Sequence, residues 1–301
     1  MSNKFKGNTA LLITAIVWGM GFIFQKMGNA VMPPMSFNAI RQFLAAVVLS
    51  PVLIFGLRKS GYLSKQNNTY STLAYRRKKS LMGGLVCGLC LLGGSVSQQI
   101  GLVTVSAGKS GFITTLYIVM TPILSVIVGN KVKRKDFVCI LIAVVGFYFL
   151  SCKGGLGGVT FGDWLTLFGA LCFAAQIVAV NHFVDKDNDI IISVLQMAFC
   201  GIIGLIAALI IEHPTMAQIY AGLPALLLST FIPTALGFTL QIVGQKYTDS
   251  TSAALLMSLE SVFSVIFGAL LLGELMAGRE LLGCAIIFAA VIINQVDIKR
   301  K

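Results

Sequence analysis

Apolar residues run along this chain in stretches of about twenty, and polar residues collect in the short gaps between them. A helix rises 1.5 Å per residue, so roughly 20 apolar residues cross the hydrocarbon layer of a bilayer. Ten such runs are present, near 9–31, 35–57, 81–103, 106–128, 136–152, 162–182, 190–211, 222–243, 251–272 and 281–297. Each is expected to be helical, because an unpaired backbone amide is too costly in lipid. The first run is too long for a signal peptide and lacks a small-x-small cleavage site, so it reads as the first span.

Composition narrows the class. Of 301 residues, 56% are hydrophobic and only 11% charged, against about 25% charged in ordinary soluble domains, and the mean hydropathy is +0.88. A soluble enzyme, a disordered chain and a disulfide scaffold are excluded. The net charge of +12 would suit a nucleic-acid binder, but its placement points to topology. With a cytoplasmic N-terminus, the inward loops and ends hold 18 of the 23 Lys and Arg residues; Lys26, Arg41, Lys109, Lys153 and Arg279 are the rest. Loops rich in Lys and Arg stay inside. Both termini are therefore expected in the cytoplasm, in a multi-pass protein of the cytoplasmic membrane with no nucleic-acid partner. The polar loop 58–80, ending in Arg76-Arg77-Lys78-Lys79, reads as a topology anchor that can touch anionic lipid. The seven cysteines fall mostly inside apolar runs and read as small buried hydrophobes, the Cys87/Cys90 pair included.

The ten spans divide into two fives around the glycine-rich stretch 153–162. A shift of 155 residues places Gly7, Leu12 and Ala15 on Gly162, Leu167 and Ala170, and Arg41 on Gln196; a shift of 143 places Gln98 and Gly101 on Gln241 and Gly244. A unit with an odd number of spans must insert upside down when duplicated. The expectation is an all-α integral membrane protein of ten transmembrane helices in two inverted five-helix repeats, 1–153 and 154–301. Secondary transporters are commonly built this way, with the substrate near the midplane.

Several short motifs then carry a resemblance. Trp18-Gly19, Arg41, Gln98-Gln99-Ile100-Gly101-Leu102, the run Ser106–Tyr117, Pro122, Gly162-Asp163, Gln245–Thr248, Leu259–Phe263 and Leu272-Gly273-Glu274 occur in an order that resembles the drug/metabolite transporter superfamily, in its ten-span EamA-type branch. The resemblance covers about 7–297 and implies carrier-type movement of small metabolites, often export. Two positions depart from the pattern. The usual Glu-Pro is Glu260-Ser261 here, so no proline kink is expected at that site. The first half has Gly129-Asn130-Lys131 where Leu-Gly-Glu is common.

Polar side chains inside spans face a cavity or a partner. Glu260, nine residues into its span, is a candidate substrate-facing or proton-binding carboxylate; a structural hydrogen bond between helices is the alternative. Arg41 attracts an anionic group or snorkels outward, and can also pair with Glu260. Gln98, Gln176, Gln196 and Gln241 either hold a polar cargo or join helices, as does Gln99. Trp18, Phe22 and Tyr117 can form an aromatic wall, or pack against helices and lipid. Gly84 and Gly88 let helices approach closely, Trp164 suits an interfacial belt, and Lys109, Lys153 and Arg279 read as solvated.

Enzyme readings fare worse. Gly108-Lys109-Ser110-Gly111 fits the serine motif of intramembrane proteases, yet His182 falls at the opposite face and His213 in a loop. The same segment lacks the first glycine of a P-loop, and Asp185, Asp187 and Asp189 read as a solvated turn. The sequence therefore points to a cofactor-free, metal-free carrier for a small polar or amphipathic metabolite such as an amino acid, working by alternating access. A drug or nucleotide-sugar transporter is the alternative, and an intramembrane protease a more distant one.

Overall fold

A computed structural model describes residues 3–60, 70–129, 134–151, 159–184 and 188–295. Every regular element among them is helical. Pass 1 is α1 (Asn3–Asn29), pass 2 α2 (Pro34–Ser60) and pass 3 α3 (Tyr70–Gly101). Pass 4 joins α4 (Ala107–Thr114), α5 (Tyr117–Leu124) and a 3-10 turn, Ser125–Val128. Pass 5 is α6 (Arg134–Ser151), pass 6 α7 (Phe161–Phe183) and pass 7 α8 (Asp189–Ile211). Pass 8 runs through α9 (Met216–Ser229), a π-helical segment (Thr230–Gly237) and α10 (Phe238–Gln245). Pass 9 is α11 (Ser250–Ser258) and α12 (Glu260–Leu272), and pass 10 is α13 (Gly278–Gln295). Eight of the passes are long and apolar enough to span a bilayer within their described residues, and α6 contributes a shorter apolar stretch, Leu141–Leu150.

The helices start where the sequence supplies caps. Ser106 accepts from Lys109 N at α4, Asp249 from Ser252 N at α11, and Thr160–Asp163 and Thr215–Gln218 form capping boxes at α7 and α9. The start of α2 is capped from another pass: Glu212 accepts from Met35 N, Ser36 N and Ser36 Oγ at 2.7–3.0 Å.

The packing repeats itself. Pass 3 lies on pass 6 as pass 8 lies on pass 1, passes 4 and 6 meet as passes 9 and 1 do, and passes 2 and 7, 4 and 9, 5 and 10 pair across the halves. Exchanging the first five passes with the last five thus maps each of these interfaces onto another or onto itself. The glycines show it residue by residue. A Cβ on Gly7 would lie 3.1 Å from Gly244 O, and one on Gly101 2.8 Å from Gly162 O; these are the two glycine pairs matched by the shifts. Gly84 and Gly88 of α3 do receive α8, at Leu195 and at Phe199 with the Gln196 carbonyl.

Some expectations change. The region 58–80 is not a loop throughout: 58–60 and 70–80 are helical, while 61–69 fall outside the described residues. So do Lys153, Cys152, Asp185, Asp187 and the junction 152–158. Lys109 is not solvated but ion-paired with fully buried Asp163 at 2.9 Å; Arg279 stays exposed, over the rings of Tyr148 and Phe149. Asp189 pairs with Lys246 at 2.8 Å. Pass 9 breaks at Leu259 without a proline, and pass 4 breaks at the matching Thr115-Leu116. Hydroxyls bonding back to carbonyls supply the distortion there: Thr115 to Gly111, Ser258 to Leu255, Ser261 to Ser258.

Candidate functional site: a cavity between the halves

One cavity lies midway along the bundle. It is lined by Trp18, Phe22, Gln25 and Arg41 from passes 1 and 2, by Ser95, Gln98, Thr114 and Tyr117 from passes 3 and 4, and by Phe173, Gln176, Ile177, Pro233, Phe238, Gln241 and Glu260 from passes 6, 8 and 9. Eight of the nine residues singled out in the sequence therefore meet there. The ninth, Gln196, is fully buried behind the wall and accepts from Gln176 Nε2 at 2.9 Å. Gln25, Ser95, Thr114, Phe173, Ile177, Pro233 and Phe238 were missed. Two of them follow from the repeat: the 155 shift turns Trp18 and Phe22 into Phe173 and Ile177.

Ten of the fifteen lining residues form such pairs. Gln98 matches Gln241, Ser95 matches Phe238, and Tyr117 matches Glu260. Arg41 stands where the second half has Gln196. The two charges of the cavity thus arise where the halves have diverged, and each half contributes one.

Those charges are not paired with each other. Arg41, 3% exposed, donates to Thr234 Oγ1 (3.2 Å), Gln25 Oε1 (3.2 Å) and Asn38 Oδ1 (2.8 Å). All three partners are neutral, and its Nε has no partner among the described residues. Asn38 is held in turn by donating to Ser95 Oγ at 3.0 Å. Glu260, also 3% exposed, has no cation in ion-pair range among the described residues, and its carboxyl lies beside the buried Tyr117 hydroxyl. Its backbone approaches pass 1 because Gly19 leaves room for Phe263 and the Glu260 carbonyl.

Between the charges the wall is aromatic and amide. Trp18 packs on Phe238 with ring centroids 5.0 Å apart and donates from Nε1 to Pro233 O at 3.0 Å. Gln176 and Gln241 exchange hydrogen bonds at 3.3 and 2.9 Å, and Gln98 donates to Thr114 Oγ1. The cavity has a volume of about 40 Å³. That is space for about three waters at roughly 10–15 Å³ each, so a larger guest enters only when the helices move apart. The protease motif lies elsewhere: Ser110 is fully buried near the α4 start, and His182 is at the other end of the bundle.

Sequence comparison agrees with this architecture. Residues 5–152 and again 160–295 match the EamA-like transporter family. The chain belongs to that family. An uncharacterized transporter of Archaeoglobus fulgidus is 32% identical over 292 residues, 96% of this chain and 86% of that protein. A probable amino-acid metabolite efflux pump of Salmonella typhimurium is 25% identical, covering 98% of this chain and 95% of the relative. The threonine/homoserine exporter RhtA of the same organism matches at 25% over 59% of this chain and 60% of its own. A crystal structure covering 95% of this chain and 96% of its own superposes with a TM-score of 0.66 at 16% identity, which shows a shared fold. This EamA-like transporter is thus a multi-pass, all-helical membrane protein whose two family repeats both line a cavity of aromatic and polar side chains.

Proposed function

We propose that this EamA-like transporter is a secondary carrier, not an enzyme, that moves a small zwitterionic metabolite such as an amino acid across the cytoplasmic membrane, outward, by alternating access. Its units are the repeats 1–153 and 154–301, and both termini are cytoplasmic. One observation carries the reading: one cavity holds a buried guanidinium and a buried carboxyl group, and among the described residues neither has an ion-pair partner. A buried charge without a partner is costly, by several kcal/mol, and in a membrane span such groups mark substrate pathways. A cargo bearing both a carboxylate and an ammonium compensates both at once, Arg41 taking the carboxylate and Glu260 the ammonium, with Gln98, Gln176 and Gln241 as amide contacts and Trp18, Phe22 and Tyr117 against its apolar part. Gln196 acts through Gln176. The orientation rests on the Lys and Arg asymmetry, and the export direction on the names of the efflux relatives.

Thermal unfolding of the purified protein with amino acids, their methyl esters and their N-acetyl derivatives tests this, since a ligand of the folded form raises its stability. The expected result is that some amino acids raise the Tm and enter proteoliposomes, while the ester and N-acetyl forms of the same compounds do neither. If blocking either charge leaves binding unchanged, zwitterion recognition is wrong.

A further inference from the structure

Pass 5 packs on pass 10 and touches pass 4. Where it faces pass 6 a crevice remains, with a volume of about 170 Å³ against about 40 Å³ for the polar cavity. Every residue that lines it is apolar. Leu116, Val119 and Ala143 form a buried floor, while Ile123 and Val144, 42% and 60% exposed, form the lips. Half-buried Met120, Phe147 and Leu167 stand between, and Phe147 packs on Trp164 with ring centroids 6.4 Å apart. The lips belong to the apolar outer surface of passes 4 and 5, which also exposes Ile127 and Leu141. Passes 4 and 6 are long and apolar enough to span a bilayer here, and Leu116 follows Ala107 by about 14 Å of helix rise, near the middle of a hydrocarbon layer about 30 Å thick.

Water does not fill such a space, because a buried water needs several polar partners. Left empty, it lowers stability in proportion to its volume. What meets the lips in a bilayer is hydrocarbon, as apolar as the leucines of the wall. We infer that the crevice is a binding site for one acyl chain of a bilayer lipid, inserted from the side between passes 5 and 6 and lying along pass 4 from Ile123 to Leu116, about 10 Å of helix. The second half does not repeat this wall. A Cβ on Gly146 would lie 3.0 Å from Gly283 O, and one on Gly283 2.8 Å from Gly146 O, so these glycines correspond. Ala143 then matches Glu280 and Phe147 matches Cys284, while the shift of 143 places Met120 on Phe263. A carboxyl group and a bulkier ring stand where the first half leaves its opening. The chain also bears on the polar cavity from behind. Leu116 faces the crevice at the break of pass 4, whereas Thr114 and Tyr117 to either side of it line the cavity. An occupant therefore braces the junction that sets Tyr117 beside Glu260. Chain binding there requires no cargo.

A phosphatidylcholine carrying a diazirine in one acyl chain, reconstituted with the protein and irradiated, tests the site, with peptide mass spectrometry locating the adducts. Lipid that only surrounds the bundle marks exposed residues such as Ile127 and Leu141. An inserted chain is expected to mark Val119, Met120 and Ala143 as well. Ala143→Leu fills the crevice and should abolish the adducts at Val119 and Met120 while keeping those at Ile127. It should also raise the Tm of the delipidated protein in detergent and shrink the further rise that added phosphatidylcholine gives the parent. Adducts confined to the exposed residues of the parent overturn the proposal, which is the pattern expected if a second copy of the chain covered the lips. Floor adducts that survive in folded Ala143→Leu overturn it too. Should that variant fail to fold, Leu167→Phe fills the crevice from pass 6 and is held to the same outcomes.

Discussion

Arg41 and Glu260 sit in matching environments with opposite consequences for substitution. Glu260 lacks a cation among the described residues, so Glu260→Gln removes an ionisable carboxyl without stranding an ion-pair partner and keeps its volume. The Tm of the ligand-free protein should hold or rise, while stabilisation by an amino acid and flux into vesicles should both disappear; a variant that still transports at the parent rate rules out a substrate-facing carboxylate. Arg41→Lys keeps the charge but replaces a planar fork, spread over three acceptors, by a single ammonium. Losing one charge-assisted hydrogen bond costs about 1.5–3 kcal/mol, so amino-acid affinity in a binding titration should fall about 10- to 100-fold. Eight of the nine cavity candidates were legible because polar and aromatic residues are rare inside apolar runs and stand out. Phe173, Ile177 and Phe238 were not, since one more apolar residue in a span carries no signal until the repeat assigns it a partner. Lys109 was misjudged for a related reason. A lysine at a helix start reads as solvated, and Asp163, its partner, comes from the other half, 54 residues away.

The helices themselves were legible as ten runs, but their interruptions were not. Pass 8 is π-helical over Thr230–Gly237 around Pro233, and π segments are frequent at functional sites. Proline has no N–H to give to the Ser229 carbonyl four residues back. The π turn gives that carbonyl the N–H five residues on, and the Thr234 hydroxyl adds a second bond to it at 2.7 Å and also accepts from Arg41. One side chain therefore braces the π turn and orients the cavity cation. Thr234→Val should leave an Arg41 N–H unpaired and remove the second bond to the Ser229 carbonyl, lowering stability by about 1–3 kcal/mol, whereas Thr234→Ser should keep most of it. Denaturation of the two variants in detergent checks this; equal stability would mean the hydroxyl holds nothing. Pass 3, the counterpart in the first half, is an unbroken helix from Tyr70 to Gly101, so the π segment is a feature of one half. Periodicity cannot reveal such a segment, because a π turn leaves the apolar pattern of a fully hydrophobic span unchanged.

Across the whole molecule the repeat sets two matching contacts, one at each end, which the proposed rocking of the halves would open in turn. At the end carrying the N-terminus, a Cβ on Gly7 would lie 3.0 Å from Tyr247 Cβ; at the opposite end, Gly162 meets the side chain of Thr104, which is the same pair carried through the two shifts. A disulfide needs Cβ atoms about 3.8 Å apart, so Gly7→Cys with Tyr247→Cys, or Gly162→Cys with Thr104→Cys, can close after a small separation of the helices. Each engineered bridge ties a pass of one half to a pass of the other and should hold one end shut. Oxidation is expected to stop amino-acid flux in either double variant and reduction to restore it, while single-cysteine controls are unaffected. The bridge at the N-terminal end should leave the cavity reachable only from the far side, and the other bridge only from the side of the termini. If both oxidised proteins still carried cargo at the reduced rate, the halves would not rock about these contacts, and the two family repeats would be a static frame around the cavity.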